Sequence, residues 1–306
     1  MNWQEVLDRS SLFLLQLTNG LTLGSIYALI AVGYTMVYGV LELINFAHGE
    51  VYMMGAFIAY HLVSVYDVPF FAAFAIALVI CSAFGIFLEY FAYRPLRDAR
   101  RLVALISAIG MSIFLQNLAL IIWGAQQKSF PYKKLPSLFS SMAFTLGDIN
   151  LSYLQVFIFL LSVVLMFVLH YIIRHTKTGM AMRAIAQDAK AASLMGINLN
   201  RVISFTFAAG SFLGAVAGVL VGVYYNAIWP TMGYMAGIKA FAAAVLGGIG
   251  SVPGAILGGT ILGVAEAFGA GYISSAYRDG IAYAIMILVL IFKPAGLLGK
   301  SVVQRR

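Results

Sequence analysis

The chain has 306 residues, of which 62% are hydrophobic and only 10% are charged, whereas soluble domains carry about 25% charged residues. This composition excludes an ordinary soluble enzyme and indicates a helical membrane protein, because several windows of about 20 residues lack charge, the length of helix that crosses the hydrocarbon core. The net charge of +8 suggests a nucleic-acid partner at first sight, but basic cytoplasmic loops account for it without one.

The apolar segments predict an all-α polytopic membrane protein with about eight or nine transmembrane elements. Before the first segment stand Glu5, Asp8 and Arg9 rather than a basic leader, so we expect that segment to stay in the mature protein. In chain order the segments are roughly 12–39, 44–66, 70–93, 104–123, 151–173, 203–225, 236–272 and 278–293.

A polar stretch, NFAHGEVYMMG at 45–55, interrupts the apolar N-terminal part of the chain. We expect Asn45, His48 and Glu50 to face a protein-lined or water-lined interior rather than lipid, with Asn45 capping the helix that follows. Two interpretations stay open: these groups line a transport pathway, or they tie a broken helix to its neighbours. Two ligands at this spacing do not predict a metal site.

The distribution of basic residues predicts the orientation in the membrane. Arginine and lysine cluster in RPLRDARR at 94–101, in the 174–201 loop and in the tail from Lys293, which includes Lys300, Arg305 and Arg306. These regions are expected to be cytoplasmic, whereas the Pro- and Ser-containing loop 124–150 suits the outer face. The N-terminus is then outside and the C-terminus inside, which requires an odd number of crossings.

A second interruption resolves that count. The segment 236–272 is too long for one upright helix, and LGGIGSVPG at 246–254 holds four glycines and a proline, which do not fit a helix interior. We expect a short helix entering from outside, a break at Gly247, Gly248 and Gly250, and a returning helix. Paired with the first break, it predicts an inverted repeat with broken helices along a transport pathway.

Other polar and small residues within the apolar segments predict helix packing. Gln116 and Asn117 are expected to form interhelical hydrogen bonds, and Lys239 either pairs with Glu266 or extends to the outer interface. Two glycine stripes predict close backbone contacts. They comprise Gly210, Gly214, Gly218 and Gly222, and Gly254, Gly258, Gly259 and Gly263.

The loop 174–201 is predicted to contain a helix from Met180 to Met195 that breaks at Gly196 and is capped by Asn198. Either this helix docks into another protein, or it rests on the lipid headgroups. One side of it carries apolar and small residues: Met182, Ile185, Ala186, Ala189 and Ala192.

The segment AASLMG at 191–196 resembles the coupling-loop motif of ABC importer permeases, although Lys190 stands where the better-known motif has glutamate. Over nearly its full length the chain is similar to the permeases of branched-chain amino acid ABC transporters. The resemblance is carried by GLTLGSIYALIAVGYTMVYG (20–39), INFAHGEVYMMGA (44–56), RPLR (94–97), LISAIGMSIFLQN (105–117) and AAVLGGIGSVPGAILGGTILGVAEAFGA (243–270).

The resemblance implies a single transmembrane permease domain over 1–306, in a bacterial inner membrane, with 174–201 as its cytoplasmic coupling loop. It implies a second related permease, two cytoplasmic ATPases and a periplasmic substrate-binding protein as partners. ATP and magnesium would be bound by the ATPases, with no cofactor in this chain. The residues expected at the ATPase contact are Met182, Arg183, Ala184, Asp188 and Gly196.

The chain is not expected to be an enzyme. Gly299-Lys300-Ser301 looks like the end of a P-loop, but Pro294 stands at the position of its first glycine. An intramembrane enzyme would need a nucleophile such as Ser107, for which spacing identifies no histidine partner. Two further functions are compatible with the sequence: an ABC permease for urea or short amides, and a self-contained channel or secondary transporter.

Overall fold

A computed structural model describes residues 3–97, 99–146 and 149–299. Lys300, Ser301, Arg305 and Arg306 lie outside the described residues. The helices are α1 (Trp3–Leu41), α2 (His48–Ser64), α3 (Phe70–Leu88), α4 (Arg101–Trp123), α5 (Tyr153–His175), α6 (Lys177–Gln187), α7 (Ala189–Leu194), α8 (Leu199–Tyr224), α9 (Met232–Gly247), α10 (Val252–Tyr272) and α11 (Arg278–Phe292). A short hairpin of β1 (Met142–Leu146) and β2 (Ile149–Ser152) lies within the predicted outer loop.

The helices confirm a polytopic membrane protein. Seven segments of the described chain are long and apolar enough to cross a membrane, while α2 and α9 are shorter, at 17 and 16 residues, or about 25 Å. The predicted break within 236–272 is confirmed: α9 ends at Gly247 and α10 begins at Val252. Gly248 and Gly250 have φ angles of +103° and +91°, a backbone region that favours glycine.

The bundle has two chemically different ends. At one end, Arg97 donates to the Asn200 side chain (2.6 Å) and Arg183 donates to the carbonyl of Ile173; we call this the arginine-rich end. At the opposite end, Gln155 donates to the side chain of Asn19 (2.9 Å). Helix α1 therefore runs toward the arginine-rich end, and α8 runs away from it.

At the arginine-rich end, α3 continues as a π-helical turn over Glu89–Tyr93 and a 3₁₀ turn over Arg94–Leu96. The fully buried Glu89 carboxylate accepts hydrogen bonds from Arg94 (2.8 Å), Arg97 and Ser204 (2.8 Å). The RPLR segment is thus not a free basic loop, because its two arginines attach the end of α3 to the start of α8.

The predicted inverted repeat is present in the helix contacts. Exchanging α1 with α8, α2 with α9, α3 with α10 and α4 with α11 maps observed helix contacts onto one another. Helix α1 packs on α10 as α8 packs on α3, α2 contacts α4 as α9 contacts α11, and α2 contacts α8 as α9 contacts α1. The two halves run in opposite directions, and α5 to α7 lie between them in sequence.

The predicted pairing of the two breaks is wrong. In the repeat, the connection 42–47 between α1 and α2 corresponds to 225–231, between α8 and α9, and not to the glycines at 247–250. Those glycines correspond to the turn 65–69 between α2 and α3. The segment 225–231 reads YNAIWPT and contains no glycine, whereas 246–254 contains four.

The glycine stripes are confirmed as close contacts between helices. A Cβ on Gly218 would overlap the Tyr52 carbonyl, and one on Gly259 would lie 2.5 Å from the Cα of Ala28. Without a side chain at these positions, the backbones of α8 and α2, and of α10 and α1, approach directly, as is common in membrane proteins.

Replacing a glycine of the α10 stripe should destabilise the bundle. A Cβ on Gly263 would lie 2.8 Å from the carbonyl oxygen of Gly20 and closer still to the Gly24 backbone, so we expect Gly263→Ala to cost about 1–3 kcal/mol through overpacking. Gly110 in α4 has open space around its Cα, and Gly110→Ala should stabilise by about 0.5–1 kcal/mol. Thermal unfolding in detergent measures both, and equal effects would contradict the packing account.

Candidate functional site

The two short helices begin inside the bundle rather than at its ends. The ring of His48, the first residue of α2, packs edge-on against Tyr34 at 4.8 Å between centroids. It fills the space that a Cβ on Gly33 would need, and a Cβ on Gly210 or Gly214 would be in van der Waals contact with it. Gly33 lies about two turns before the end of α1. The start of α2 is thus buried within the bundle.

The first turn of α9 lies against the first turn of α2. A Cβ on Gly49 would be 2.8 Å from the Cα of Gly237, and one on Gly233 would be 2.6 Å from the Gly49 carbonyl oxygen. The two helices run in opposite directions from this contact. Helix N-termini carry partial positive charge from free N–H groups. Two partially positive helix ends therefore meet in the interior of the bundle.

Glu50 lies at this meeting point and is fully buried. Its Oε1 atom accepts hydrogen bonds from the Ser112 hydroxyl (2.9 Å) and the Gln116 amide (2.8 Å) of α4. Its Oε2 atom has no hydrogen-bond partner among the described residues and faces Gly233, where a Cβ would be 2.5 Å away. The carboxylate therefore joins α2, α4 and α9.

The α4 partners of Glu50 were predicted only in part. The interhelical bond of Gln116 is confirmed, whereas Asn117 donates to the carbonyl of Ile113 in its own helix (2.8 Å), so that prediction is wrong. Ser112 was not predicted. Its position one turn before Gln116, on the same face of α4, is the signal in the sequence that could have identified it.

Asn45 and His48 are also buried, but they do not share the contacts of Glu50. Asn45 accepts a hydrogen bond from the Tyr93 hydroxyl (2.6 Å), while α2 is capped at Ala47 without a side-chain bond. The prediction that Asn45 caps α2 is therefore wrong; its side chain attaches the connection 42–47 to the end of the α3 segment.

A cavity of about 280 Å³ lies beside the Glu50 cluster, between α1, α4 and α9. Its wall includes Tyr34, Ser112, Gln116 and Gly237. It reaches the outer surface of the bundle at Ile113, which is 55% exposed. Polar groups from the interior thus line a cavity that opens sideways, midway along α4.

Gly247, Gly248 and Gly250 lie apart from Glu50, at the other end of α9. Gly247 packs on Gly254, and Gly248 packs on the segment 295–299, whose Leu298 N–H donates to the Gly247 carbonyl (2.9 Å). From Gly233 to Gly247 the helix rises about 21 Å. The structure therefore does not bring the two predicted breaks into one site.

A larger cavity, of about 590 Å³, lies on the other side of α9 toward the opposite end. The predicted pair of Lys239 and Glu266 is confirmed there at 2.7 Å. Asp279 is a second partner of Lys239 (2.6 Å). Lys239 is buried, so its ammonium group is held inside the bundle by two carboxylates.

The loop at the arginine-rich end contains two helices instead of the single one predicted. Asp188 leaves the helical conformation, with φ −158° and ψ 105°, and its side chain caps α7 by accepting from the N–H groups of Lys190 (2.8 Å) and Ala191 (2.9 Å). Asn198 caps the next helix, α8, through the Arg201 N–H. Gly196 ends α7 with φ +85°.

The other predicted contact residues of this loop differ in exposure. Met182 is buried, Ala184 is half-buried, and Arg183 donates to the backbone carbonyls of Ile173 (2.5 Å) and Arg174 (3.2 Å) at the end of α5. The most exposed large apolar side chains of this loop are Leu194 and Met195, which are 90% and 84% exposed. Sequence reasoning missed both, because it considered one continuous helix face.

Comparison with known proteins agrees with this architecture. Residues 16–290 match the family described as branched-chain amino acid transport system, permease component. The chain is 50% identical to the high-affinity branched-chain amino acid transport system permease protein BraD of Pseudomonas aeruginosa, over 96% of this chain and 98% of that protein.

Two further relatives carry similar names. The permease protein LivH of Escherichia coli is 48% identical over 96% of this chain and 97% of its own length. A probable branched-chain amino acid permease of Methanocaldococcus jannaschii is 27% identical over 90% of this chain and 89% of its own length. The chain belongs to the family of permease components of branched-chain amino acid transport systems.

Proposed function

We propose that this chain is one of two permease subunits of an ATP-driven importer that carries branched-chain amino acids across a bacterial inner membrane. Relatives whose names specify branched-chain amino acid transport, at about half identity over nearly the whole chain, support the substrate. The observation that carries the mechanism is the meeting of two short, oppositely directed helices beside Glu50. Such half-helix N-termini at the interface of inverted repeats form substrate sites in transporters.

The position of the Glu50 cavity supports a pathway between two permeases. The cavity opens sideways beside Ser112 and Gln116, and polar groups that face lipid at mid-membrane depth are unfavourable. A second, related permease covering this face would enclose the cavity and provide the other wall of the pathway. Ser107, the candidate nucleophile of an intramembrane enzyme, donates to the Ala92 carbonyl (3.3 Å), which favours a packing role.

The coupling loop is proposed to meet the ATPases at the arginine-rich end, which the positive-inside rule assigns to the cytoplasm. ATP and magnesium then bind to those partner chains, and a periplasmic binding protein delivers the amino acid at the opposite end. Arg183 and Asp188 are occupied by bonds within the chain, so we assign the direct contact to Leu194 and Met195. An exposed pair of large apolar side chains on a short helix suits insertion into an apolar groove.

Replacing the carboxyl group of Glu50 should impair transport without dispersing the complex. Gln at this position retains the size and one acceptor oxygen, so Glu50→Gln should lower leucine uptake by about tenfold or more, equivalent to about 1.4 kcal/mol. Uptake into proteoliposomes that contain the complete complex and binding protein measures this.

Ser82→Ala is the control for Glu50→Gln, because the Ser82 hydroxyl donates to the Leu78 carbonyl of its own helix, α3 (2.7 Å), outside the wall of the 280 Å³ cavity, and uptake should persist. If Glu50→Gln prevents the subunits from purifying together, Glu50 is an assembly residue, and its proposed role in the pathway is wrong.

Charges placed on the tip of α7 should release the ATPases. Leu194→Glu with Met195→Glu introduces two carboxylates where an apolar contact is proposed, and each buried unpaired charge opposes association. Purification of the tagged chain from membranes should then recover little ATPase, while the second permease remains bound. Leu138→Glu changes an exposed leucine at the opposite end and should leave ATPase recovery unchanged. Full ATPase recovery with the double variant would exclude this docking site.

A further inference from the structure

The 590 Å³ cavity between α9 and the outer part of the bundle has a wall of unusual composition. Much of it is apolar and aromatic, with Trp229, Met232 and Met235 among its residues, and the rest carries four charged side chains. They are Lys239, Glu266, Arg278 and Asp279. Its volume falls in the range of about 300–1,000 Å³ typical of small-molecule sites.

The four side chains carry two positive and two negative charges, but two of their polar atoms lack hydrogen-bond partners among the described residues. Lys239 lies 2.7 Å from Glu266 Oε1 and 2.6 Å from Asp279 Oδ1. Arg278 uses one terminal nitrogen to donate to the Tyr225 hydroxyl (3.3 Å), and its Nε lies 3.5 Å from Glu266 Oε1 without forming a hydrogen bond. Glu266 Oε2 is buried and has no hydrogen-bond partner among the described residues.

An acceptor and a donor that lack partners therefore lie within a few ångströms of each other. A buried polar atom without a partner is unfavourable, so the wall is suited to a ligand that brings both an ammonium and a carboxylate. A ligand with one charge would satisfy one group and disturb the neutrality of the cluster. An α-amino acid carries both charges on neighbouring atoms and can direct an apolar side chain toward Met232 and Met235.

We propose that this cavity is an α-amino-acid binding site within the permease. Glu266 receives the substrate ammonium group, Arg278 receives its carboxylate, and Lys239 with Asp279 keeps the pair in place. The inference rests on the proposed function and goes beyond it, because this cavity is separate from the 280 Å³ cavity beside Glu50. It means that the permease itself recognises the zwitterionic part shared by all amino acids, while the apolar wall tolerates different aliphatic side chains.

The test uses the complete complex of both permeases and both ATPases, without the binding protein, in nanodiscs of phosphatidylglycerol. This lipid offers no zwitterionic headgroup to compete for the cavity. Equilibrium binding of radiolabelled leucine is measured with two competitors that each lack one charge, 3-methylbutylamine and 4-methylpentanoate. Wild-type complex should bind leucine saturably and prefer it at least about tenfold over either competitor, or about 1.4 kcal/mol.

Each charge variant should lose the preference for leucine over one competitor and keep the preference over the other. Arg278→Gln should bind the amine nearly as well as leucine yet still reject the acid, and Glu266→Gln should show the reverse. A general structural defect would weaken all ligands alike and would not produce this crossed pattern. Lys133→Gln, an exposed lysine outside the cavity wall, should keep both preferences.

A cavity-filling variant covers the case in which the charge variants fail to assemble. Ala236 lies in the cavity wall about one turn before Lys239, and Ala236→Leu keeps all four charges while it should reduce leucine binding by about tenfold through lost space. No saturable binding to the wild-type complex, or unchanged preferences in both charge variants, overturns the site. Leucine uptake with the binding protein is measured in parallel. Uptake by a complex that shows no leucine binding in the cavity would contradict this site alone, whereas absence of uptake would contradict the proposed function.

Discussion

The arrangement of the whole bundle depends on the direct backbone contact between the N-terminal parts of α2 and α9, at Gly49, Gly233 and Gly237. Helix N-termini expose unpaired N–H groups, and within a membrane such groups persist only where protein or water surrounds them. The glycines allow the two ends to shield each other inside the bundle. In each half of the inverted repeat, a long helix, α1 or α8, precedes the short helix that begins in the interior.

Clusters of paired charged side chains lie toward the two ends of the bundle, and Glu50 lies near its centre. Glu89 binds Arg94 and Ser204 at the arginine-rich end, and Lys239 binds Glu266 and Asp279 toward the other. Removing ions from water is costly, and close pairing offsets that cost only with good geometry. The paired clusters therefore fix helix positions. Glu50 differs, since neutral Ser112 and Gln116 are its hydrogen-bond partners.

Sequence reasoning recovered features that depend on local chemistry. The apolar segments, the break between α9 and α10, the glycine stripes and the Lys239–Glu266 pair follow from segment length, backbone conformation and charge. The equivalence of 42–47 with 225–231 did not, because only Asn226, with φ +49°, and Pro230 mark that second connection. The division of α6 from α7 was hidden as well. Asp188 can occupy a helix interior or a cap, and tertiary context decides between them.

The position of the glycine break at Gly250 gives it a different role from the pathway lining that the sequence predicted. It lines a space of about 120 Å³ together with Met36 of α1 and with Met182 and Arg183 of α6. The loop, the end of α1 and the joint between α9 and α10 therefore meet at one place. Since packed interiors transmit displacement rather than absorb it, a shift of α6 acts on α1. Less than one turn before Met36, Gly33 of α1 packs against His48 at the start of α2. Under the proposed function, the break is then a joint between the loop at the arginine-rich end and the central contact of α2 with α9.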